Sequence, residues 1–247
     1  MRKITIIILT ILLTAQAFSQ TVKIAAAGNL RYILDDIKTM YVAKNPKVKI
    51  DISLGASGTL TQQIMNGAGY DIFMAADKIF PAKLKEQDYT SGEVKTYAFG
   101  KLVLWSNMVD VSKGVEIITD KSVTHIAVAK PEVAPYGARA IECLKYYKLF
   151  DTVKDKIVYA DNIAQTAQFA QSGNAEIGFI ALALALSPEM KDKGKYIELD
   201  TKSYKPVEQA MVLIKGWERN PEAKKFMDFV LGAECKPVFE KYGFIVP

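Results

Sequence analysis

Two spacings of apolar residues alternate along the first hundred positions of the chain. The run VKIAAA is typical of a buried strand, and apolar residues then recur at helical spacing on one face of a segment that follows it. The same alternation repeats twice more. The predicted strands are 22–27, 47–53 and 70–76, and the predicted helices are 30–41, 60–69 and 81–87. The order β-α-β-α-β predicts a parallel sheet covered by helices.

A second round of the same pattern begins near residue 100. Asn220 is expected to cap a late helix, with Pro221 at its first position and Gly232 at its end. A last helix is expected to run into KYGFIVP. The predicted strands are 101–106, 124–129, 156–160, 175–183 and 206–214, and the predicted helices are 135–149, 162–173 and 220–232.

These patterns predict an α/β fold with two lobes and no Pro/Gly/Ser-rich linker between them. Lobe I is expected to comprise 21–100, with 204–247 returning to it, and lobe II to comprise 101–203. Because the C-terminal part returns to lobe I, more than one crossover is expected to connect the lobes. A ligand is then expected in the cleft between them.

The first twenty residues have the layout of a secretory signal peptide. Arg2 and Lys3 precede an apolar run at 4–13, and small residues follow as a cleavage site. The run is shorter than the roughly 20 residues that a membrane span needs. We therefore expect an exported, periplasmic protein with residues 1–20 removed.

Charge and cysteine content exclude several classes of protein. Loss of Arg2 and Lys3 lowers the formal charge from +5 to +3. The sequence contains no basic block with interleaved aromatic residues, the pattern that would indicate nucleic-acid binding. An exported protein is allowed a disulfide, but Cys143 and Cys235 are expected to be two buried thiols. His125 is expected to be structural, because the sequence has no cluster of cysteines and histidines of the kind that binds a metal ion.

Four turns from strand to helix are unusually small or polar: AAAGNL, GASGT, PEVAPYG and ADNIAQ. Each helix start leaves about four backbone N–H groups without an internal partner, and the helix dipole places roughly half a positive charge there. Several such starts in one cleft would bind an anion without a lysine or arginine. For any single turn, plain capping explains the same residues, and Asn162 is expected to be only a cap.

These motifs resemble the molybdate/tungstate-binding periplasmic proteins that deliver substrate to ABC importers. The resemblance runs from Val22 to the end of the chain, and its most specific stretch is GASGTLTQQIMNGAGYDIFMAAD. It implies a type II periplasmic-binding-protein fold that closes over one tetrahedral oxyanion. It also implies a monomer without a cofactor, a molybdate or tungstate ligand, and a membrane permease as partner.

Carried over motif by motif, the resemblance implies a set of ligand-binding residues. Asn29 and Ser57 would hold the molybdate or tungstate from lobe I, with Gly28 as a further backbone N–H donor. Tyr136 and Ile163 would hold it from lobe II through their main-chain N–H groups.

Three further positions are judged by the same resemblance. Some relatives use a tyrosine hydroxyl at the position of Ala181, so that donor is absent here. Asp71 and Asp77 are interpreted as capping or lobe-stabilising groups, because a carboxylate beside an anion would weaken its binding.

Two other functions stay open at this point. A sulfate or phosphate receptor of the same fold is one, and Asp161 offers the acceptor that a protonated phosphate would favour. An exported hydrolase using Ser57 is the other, although GASGT is not the G-x-S-x-G motif and His125 is the one histidine of the sequence.

Overall fold

The computed structural model describes residues 21–247, and the predicted signal peptide lies outside them. The strands are β1 (Thr21–Ala27), β2 (Lys49–Gly55), β3 (Ile72–Ala75), β4 (Thr90–Gly100), β5 (Leu102–Ser106), β6 (Ile126–Ala129), β7 (Ile157–Ala160), β8 (Ile177–Ala181), β9 (Lys195–Glu198) and β10 (Val207–Ile214). The helices are α1 (Arg31–Lys44), α2 (Ser57–Met65), α3 (Ile79–Glu86), α4 (Pro135–Tyr146), α5 (Phe150–Val153), α6 (Ile163–Ser172), α7 (Leu182–Ala185), α8 (Glu222–Val230) and α9 (Lys236–Lys241). Within this range no helix is long and apolar enough to cross a membrane.

The strands form two five-stranded mixed sheets. The first has the order β2-β1-β3-β10-β4, in which β1 runs parallel to β2 and β3, and β10 runs antiparallel to β3 and β4. The second has the order β7-β6-β8-β5-β9, with β6 parallel to β7 and β8 and β5 antiparallel to β8 and β9. We keep the names lobe I and lobe II for the residues that build the first and the second sheet.

Two neighbouring connections join the lobes, one from β4 to β5 and one from β9 to β10. The chain leaves lobe I at the end of β4 and enters β5 directly, and it returns from β9 into β10. Gly100 and Val207, which lie at these two crossings, are partners in the β4–β10 ladder. The two connections therefore run side by side, and the turns at the carboxyl ends of the parallel strands face each other close to them.

Each lobe has its own apolar core. In lobe I the stripe of α1 predicted from helical spacing is buried, and Tyr41 packs edge-on against Phe226 of α8 with ring centroids 5.1 Å apart. In lobe II, Trp105 and Phe179 are fully buried on the two paired strands β5 and β8. Complete burial of such a side chain contributes about 1.5–3 kcal/mol, so these contacts hold the sheets that carry the site.

The structure corrects several sequence predictions. Strands β4 and β9 were not predicted, because their alternating polar residues resemble surface loop. The predicted strand 175–183 ends at Ala181, where α7 begins, and the helix predicted to reach Ala68 ends at Met65. Asn220 does not cap α8, since its amide group donates to the Thr21 carbonyl at 2.9 Å and to Asp71 at 3.2 Å.

Candidate functional site

A small cavity of about 10 Å³ lies where turns from both lobes meet. Lobe I contributes the turns after β1, β2 and β3, and lobe II contributes the first residues of α4 and α6. Gly28, Ser57, Ala76, Tyr136 and Ile163 are among the residues that line it. Drug-sized ligands occupy pockets of roughly 300–1,000 Å³, so this space excludes an organic molecule and leaves a small ion as the candidate occupant.

Ser57 is the first residue of α2 and is fully buried. Its Oγ accepts a hydrogen bond from the Ala76 N–H at 3.0 Å. A serine hydroxyl has one proton to donate and two positions to accept. Because the Ala76 contact uses an acceptor position, the Ser57 proton remains available for an anion in the cavity.

Gly28 begins the turn after β1, where the two lobes approach each other closely. A Cβ atom added there would lie 3.2 Å from the Ala164 Cβ and 3.3 Å from the Asn162 Oδ1, both in lobe II. The absence of a side chain therefore lets this turn and the start of α6 approach each other, with backbone N–H groups close to the cavity.

Asn29 is buried next to Gly28, but it is not among the residues that line the cavity. Its Nδ2 donates to the Gln209 Oε1 at 3.0 Å, and its Oδ1 is buried without a hydrogen-bond partner among the described residues. The side-chain donor that the sequence analysis assigned to the ligand is thus directed at Gln209. A ligand contact by Asn29 stays a prediction.

Tyr136 and Ile163 bring two helix starts from lobe II to the cavity. Tyr136 follows Pro135 in the first turn of α4, where no side chain caps the helix. At the start of α6, the Asn162 Oδ1 accepts from the N–H groups of Ala164 and Gln165, both at 3.0 Å. This confirms Asn162 as a cap, and the cap does not use the Ile163 N–H.

None of the described residues that line the cavity is charged. Asp77 lies close by and caps α3 by accepting from the Phe80 N–H at 3.1 Å. Burial raises its pKa, against a smaller lowering by Arg139, which is itself paired with Glu142. The positive charge of Arg139 is therefore balanced by the carboxylate of Glu142. An anion in the cavity would rely on N–H and hydroxyl donors.

Asp71 also has the structural role expected of it. Its Oδ2 accepts from the Lys23 N–H at 2.8 Å and from the Asn220 amide, and both contacts lie within lobe I. Together with the cap formed by Asp77, this confirms the interpretation of the two carboxylates as capping or lobe-stabilising groups.

A direct backbone contact joins the two lobes beside the cavity. The Gly58 N–H, in the first turn of α2, donates to the Val133 carbonyl of lobe II at 2.8 Å. A Cβ at Gly58 would lie 2.9 Å from the Val133 Cα, so a side chain there would separate the two surfaces. Gly58 lies in the GASGT turn but was not predicted as part of the site, because a glycine in a small-residue turn gives no signal of a partner in the other lobe.

A larger cleft of about 520 Å³ opens between α1 and α6. Its lining combines Arg31 with Asp161 and Glu189, so it offers no excess of positive charge for an anion. Its size and its mixed charge make it less suited than the small cavity to selective oxyanion binding.

The other chemistry-bearing residues lie apart from the cavity. His125 is exposed beside Glu176, and residues 21–247 contain no group of three or more His, Cys, Asp or Glu residues placed to hold a metal ion. Cys143 and Cys235 are both free and buried, which confirms the prediction of two thiols. Burial raises the pKa of each thiol to about 11.

Comparison with known proteins places this geometry in a family. Residues 22–245 match the family model described as bacterial extracellular solute-binding protein. The chain is 34% identical over 235 residues to the molybdate-binding protein ModA of Azotobacter vinelandii, covering 94% of this chain and 93% of that protein. It is 30% identical over 228 residues to the putative ABC transporter substrate-binding lipoprotein YvgL of Bacillus subtilis, covering 91% and 86%.

A solved structure agrees with the sequence relatives. The periplasmic molybdate-binding protein of Azotobacter vinelandii superposes with a TM-score of 0.85 at 31% identity, covering 92% of this chain and 99% of that one. The match confirms the predicted two-lobed α/β fold and the prediction of a binding protein rather than an enzyme. The chain belongs to the bacterial extracellular solute-binding protein family.

Proposed function

We propose that the protein binds molybdate or tungstate outside the cytoplasm and delivers it to an ABC importer. The observation that carries the proposal is the small cavity between the lobes: within 21–247 no charged residue lines it, and its lining includes Ser57 and the first residues of two helices. Similarity over nearly the whole chain to a protein named for molybdate binding supports the choice of ion.

The proposed donors come from both sides of the cavity. Lobe I supplies the Ser57 hydroxyl and the backbone of the turn at Gly28 and Asn29, and lobe II supplies the N–H groups of Tyr136 and Ile163. The first-turn N–H groups of a helix are without internal partners and lie at the positive end of the helix dipole. A dianion then gains several charge-assisted hydrogen bonds without a buried counterion.

Size and protonation separate the candidate ions. Molybdate, tungstate and sulfate are tetrahedral dianions, and sulfate is the smallest of them. A rigid ring of donors fitted to a larger ion leaves some N–H groups badly paired around sulfate, at a cost of about 1–3 kcal/mol for each unsatisfied group.

Phosphate is a weaker candidate for a different reason. A protonated phosphate favours a carboxylate acceptor, and Asp161 does not line the small cavity. Asp161 is instead exposed and paired with Lys130 at 2.5 Å. The sulfate and phosphate alternatives therefore have less support than molybdate or tungstate.

Delivery requires two states of the protein. We propose that 21–100 with 204–247 and 101–203 act as the two closing units, hinged at the paired crossings near Gly100 and Val207. A membrane permease would recognise the closed, ligand-bound form of a periplasmic monomer.

The test is titration calorimetry of the ligand-stripped protein, lacking residues 1–20, with molybdate, tungstate, sulfate and phosphate. Tight binding of molybdate and tungstate with little response to sulfate is the expected result. A preference for sulfate or phosphate would overturn the assigned ion, and no response to any of the four would overturn the function.

A further inference from the structure

One buried side chain connects the ligand-facing turns of the two lobes. Gln209 lies on β10, two residues beyond the crossing at Val207, and it is fully buried. Its Oε1 accepts from the Asn29 Nδ2 at 3.0 Å and from the Tyr97 hydroxyl at 2.8 Å. Its Nε2 donates to the Tyr136 hydroxyl at 2.9 Å.

These contacts differ in which lobe they reach. Asn29 and Tyr97 belong to lobe I, like Gln209 itself, so a rigid movement of the lobes leaves those two bonds intact. Tyr136 belongs to lobe II, so the bond from the Gln209 Nε2 crosses between the lobes. The same side chain therefore holds the turn after β1 and the first turn of α4, and both turns contribute to the cavity.

The crossing strand is shaped around this contact. A Cβ at Gly100 would lie 2.1 Å from the Tyr136 hydroxyl and 2.6 Å from the Gln209 Nε2. No residue with a side chain fits there while the bond is in place. The Tyr136 hydroxyl thus rests against the backbone of the β4–β5 connection, where the movement of the lobes is hinged.

Burial makes this bond sensitive to lobe movement. Tyr136 and Tyr97 are almost completely inaccessible to solvent, and burial keeps the Tyr136 hydroxyl neutral by raising its pKa. A buried donor that loses its partner costs more free energy than an exposed one. Because the bond lies beside the crossings, rotation of one lobe on the other would misalign it, and a hydrogen bond weakens steeply when its angle is lost.

We propose that Gln209 is a positioning residue for oxyanion binding: it stabilises the closed arrangement of the two ligand-bearing turns without touching the ligand. This inference rests on the proposed function and identifies the residue that couples the two halves of its site. A glutamine suits the position because its amide accepts two bonds within lobe I and donates one to lobe II.

The experiment compares Gln209→Leu, Tyr136→Phe and the double variant, with Tyr97→Phe as the matched control. Tyr136→Phe deletes the hydroxyl that crosses the lobes and retains the backbone N–H. Tyr97→Phe deletes a buried hydroxyl whose bonds, to Gln209 and to the Ala75 carbonyl at 3.0 Å, both lie within lobe I. Molybdate affinity is measured by calorimetry, stability by urea unfolding, and compactness of the ligand-free protein by X-ray scattering.

We expect each of Gln209→Leu and Tyr136→Phe to weaken molybdate binding by about tenfold, as for the loss of the one hydrogen bond that crosses the lobes. The two further bonds that Gln209→Leu removes lie within lobe I and should lower stability. The double variant should lose about the same factor rather than its square, because the two changes remove the same bond between the lobes. Tyr97→Phe should lower stability while its affinity stays within about twofold of the wild type. Wild-type affinity in Gln209→Leu or Tyr136→Phe, or fully multiplied losses in the double variant, would overturn the inference.

Scattering separates this failure from a failure of the proposed function. If the wild type binds none of the four oxyanions, the proposed function is wrong and the ligand-free profiles decide the role of Gln209. A more expanded profile for Gln209→Leu and Tyr136→Phe than for the wild type would support the bond between the lobes, and identical profiles would overturn it.

Discussion

Replacement of Ser57 by alanine tests the site most directly. The Ser57 Oγ accepts from the Ala76 N–H at 3.0 Å, and its proton is available to the ligand. The change therefore removes a donor to the ion and also leaves a buried backbone N–H without its partner. The two losses have separate readouts, in affinity and in stability.

Both magnitudes follow from the contacts. A hydrogen bond to a charged group contributes about 1.5–3 kcal/mol, which corresponds to a roughly 10- to 150-fold weaker Kd for molybdate. The unpaired Ala76 N–H should lower the free energy of unfolding by about 1–3 kcal/mol. Calorimetry with molybdate and urea unfolding of the ligand-free protein measure these two quantities.

Ser106→Ala is the matched control. Ser106 is equally buried, in β5 of lobe II, and its Oγ accepts from the N–H groups of Met108 and Val109, both at 3.0 Å. Its loss should destabilise the protein without changing affinity. If Ser57→Ala binds molybdate as tightly as the wild type, Ser57 is not a ligand; if Ser106→Ala loses affinity equally, the effect of Ser57→Ala is one of stability alone.

Three further predictions concern the lobe contact, pH and the thiols. Gly58→Ala should weaken molybdate binding in calorimetry at least several-fold, because the added Cβ would lie 2.9 Å from the Val133 Cα of lobe II and block closure, at a cost typical of overpacking. Gly69→Ala, whose Cβ would meet open space, should bind molybdate normally. Equal affinities of the two variants would refute the argument. Asp77→Asn keeps a side-chain oxygen that accepts from the Phe80 N–H but cannot ionise. Because burial raises the pKa of Asp77 above its unfolded value of about 3.9, the wild type should lose stability relative to this variant as pH rises from about 4 through the folded pKa. A stability difference that does not change with pH in urea unfolding would contradict this. Cys143 and Cys235 should resist a thiol reagent at pH 8 until the protein is unfolded, because burial raises the pKa of both thiols to about 11. Rapid labelling of the folded protein would contradict their burial.

The proposed anion site has no lysine or arginine in its lining within residues 21–247. Buried ion pairs cost desolvation free energy, whereas helix N-termini present fixed donors that are already dehydrated by the fold. The same rigidity allows selection by size, since donors fixed by two packed lobes cannot contract around a smaller ion. In the proposed mechanism, closure therefore contributes to affinity together with the donors.

Local pattern was sufficient for much of the fold. Amphipathic helices such as α1 have an apolar spacing that a strand does not satisfy, and the short apolar run of β1 is typical of a buried strand. The turns at Gly28 and Ser57 were identifiable because small and hydroxyl residues between a strand and a helix have few other uses than capping and ligand contact.

Tertiary structure decided what depends on residues far apart in the chain. Strand β4 has a polar, alternating sequence and exists as a strand because β10 pairs with it from more than a hundred residues away. Gln209 gives no local signal, since one glutamine in an apolar strand has no motif around it. Its partners Asn29, Tyr97 and Tyr136 come together only when the two crossings bring the lobes into contact. Sequence spacing specifies single elements, whereas the direction of a buried donor is determined by the packing of all the elements around it.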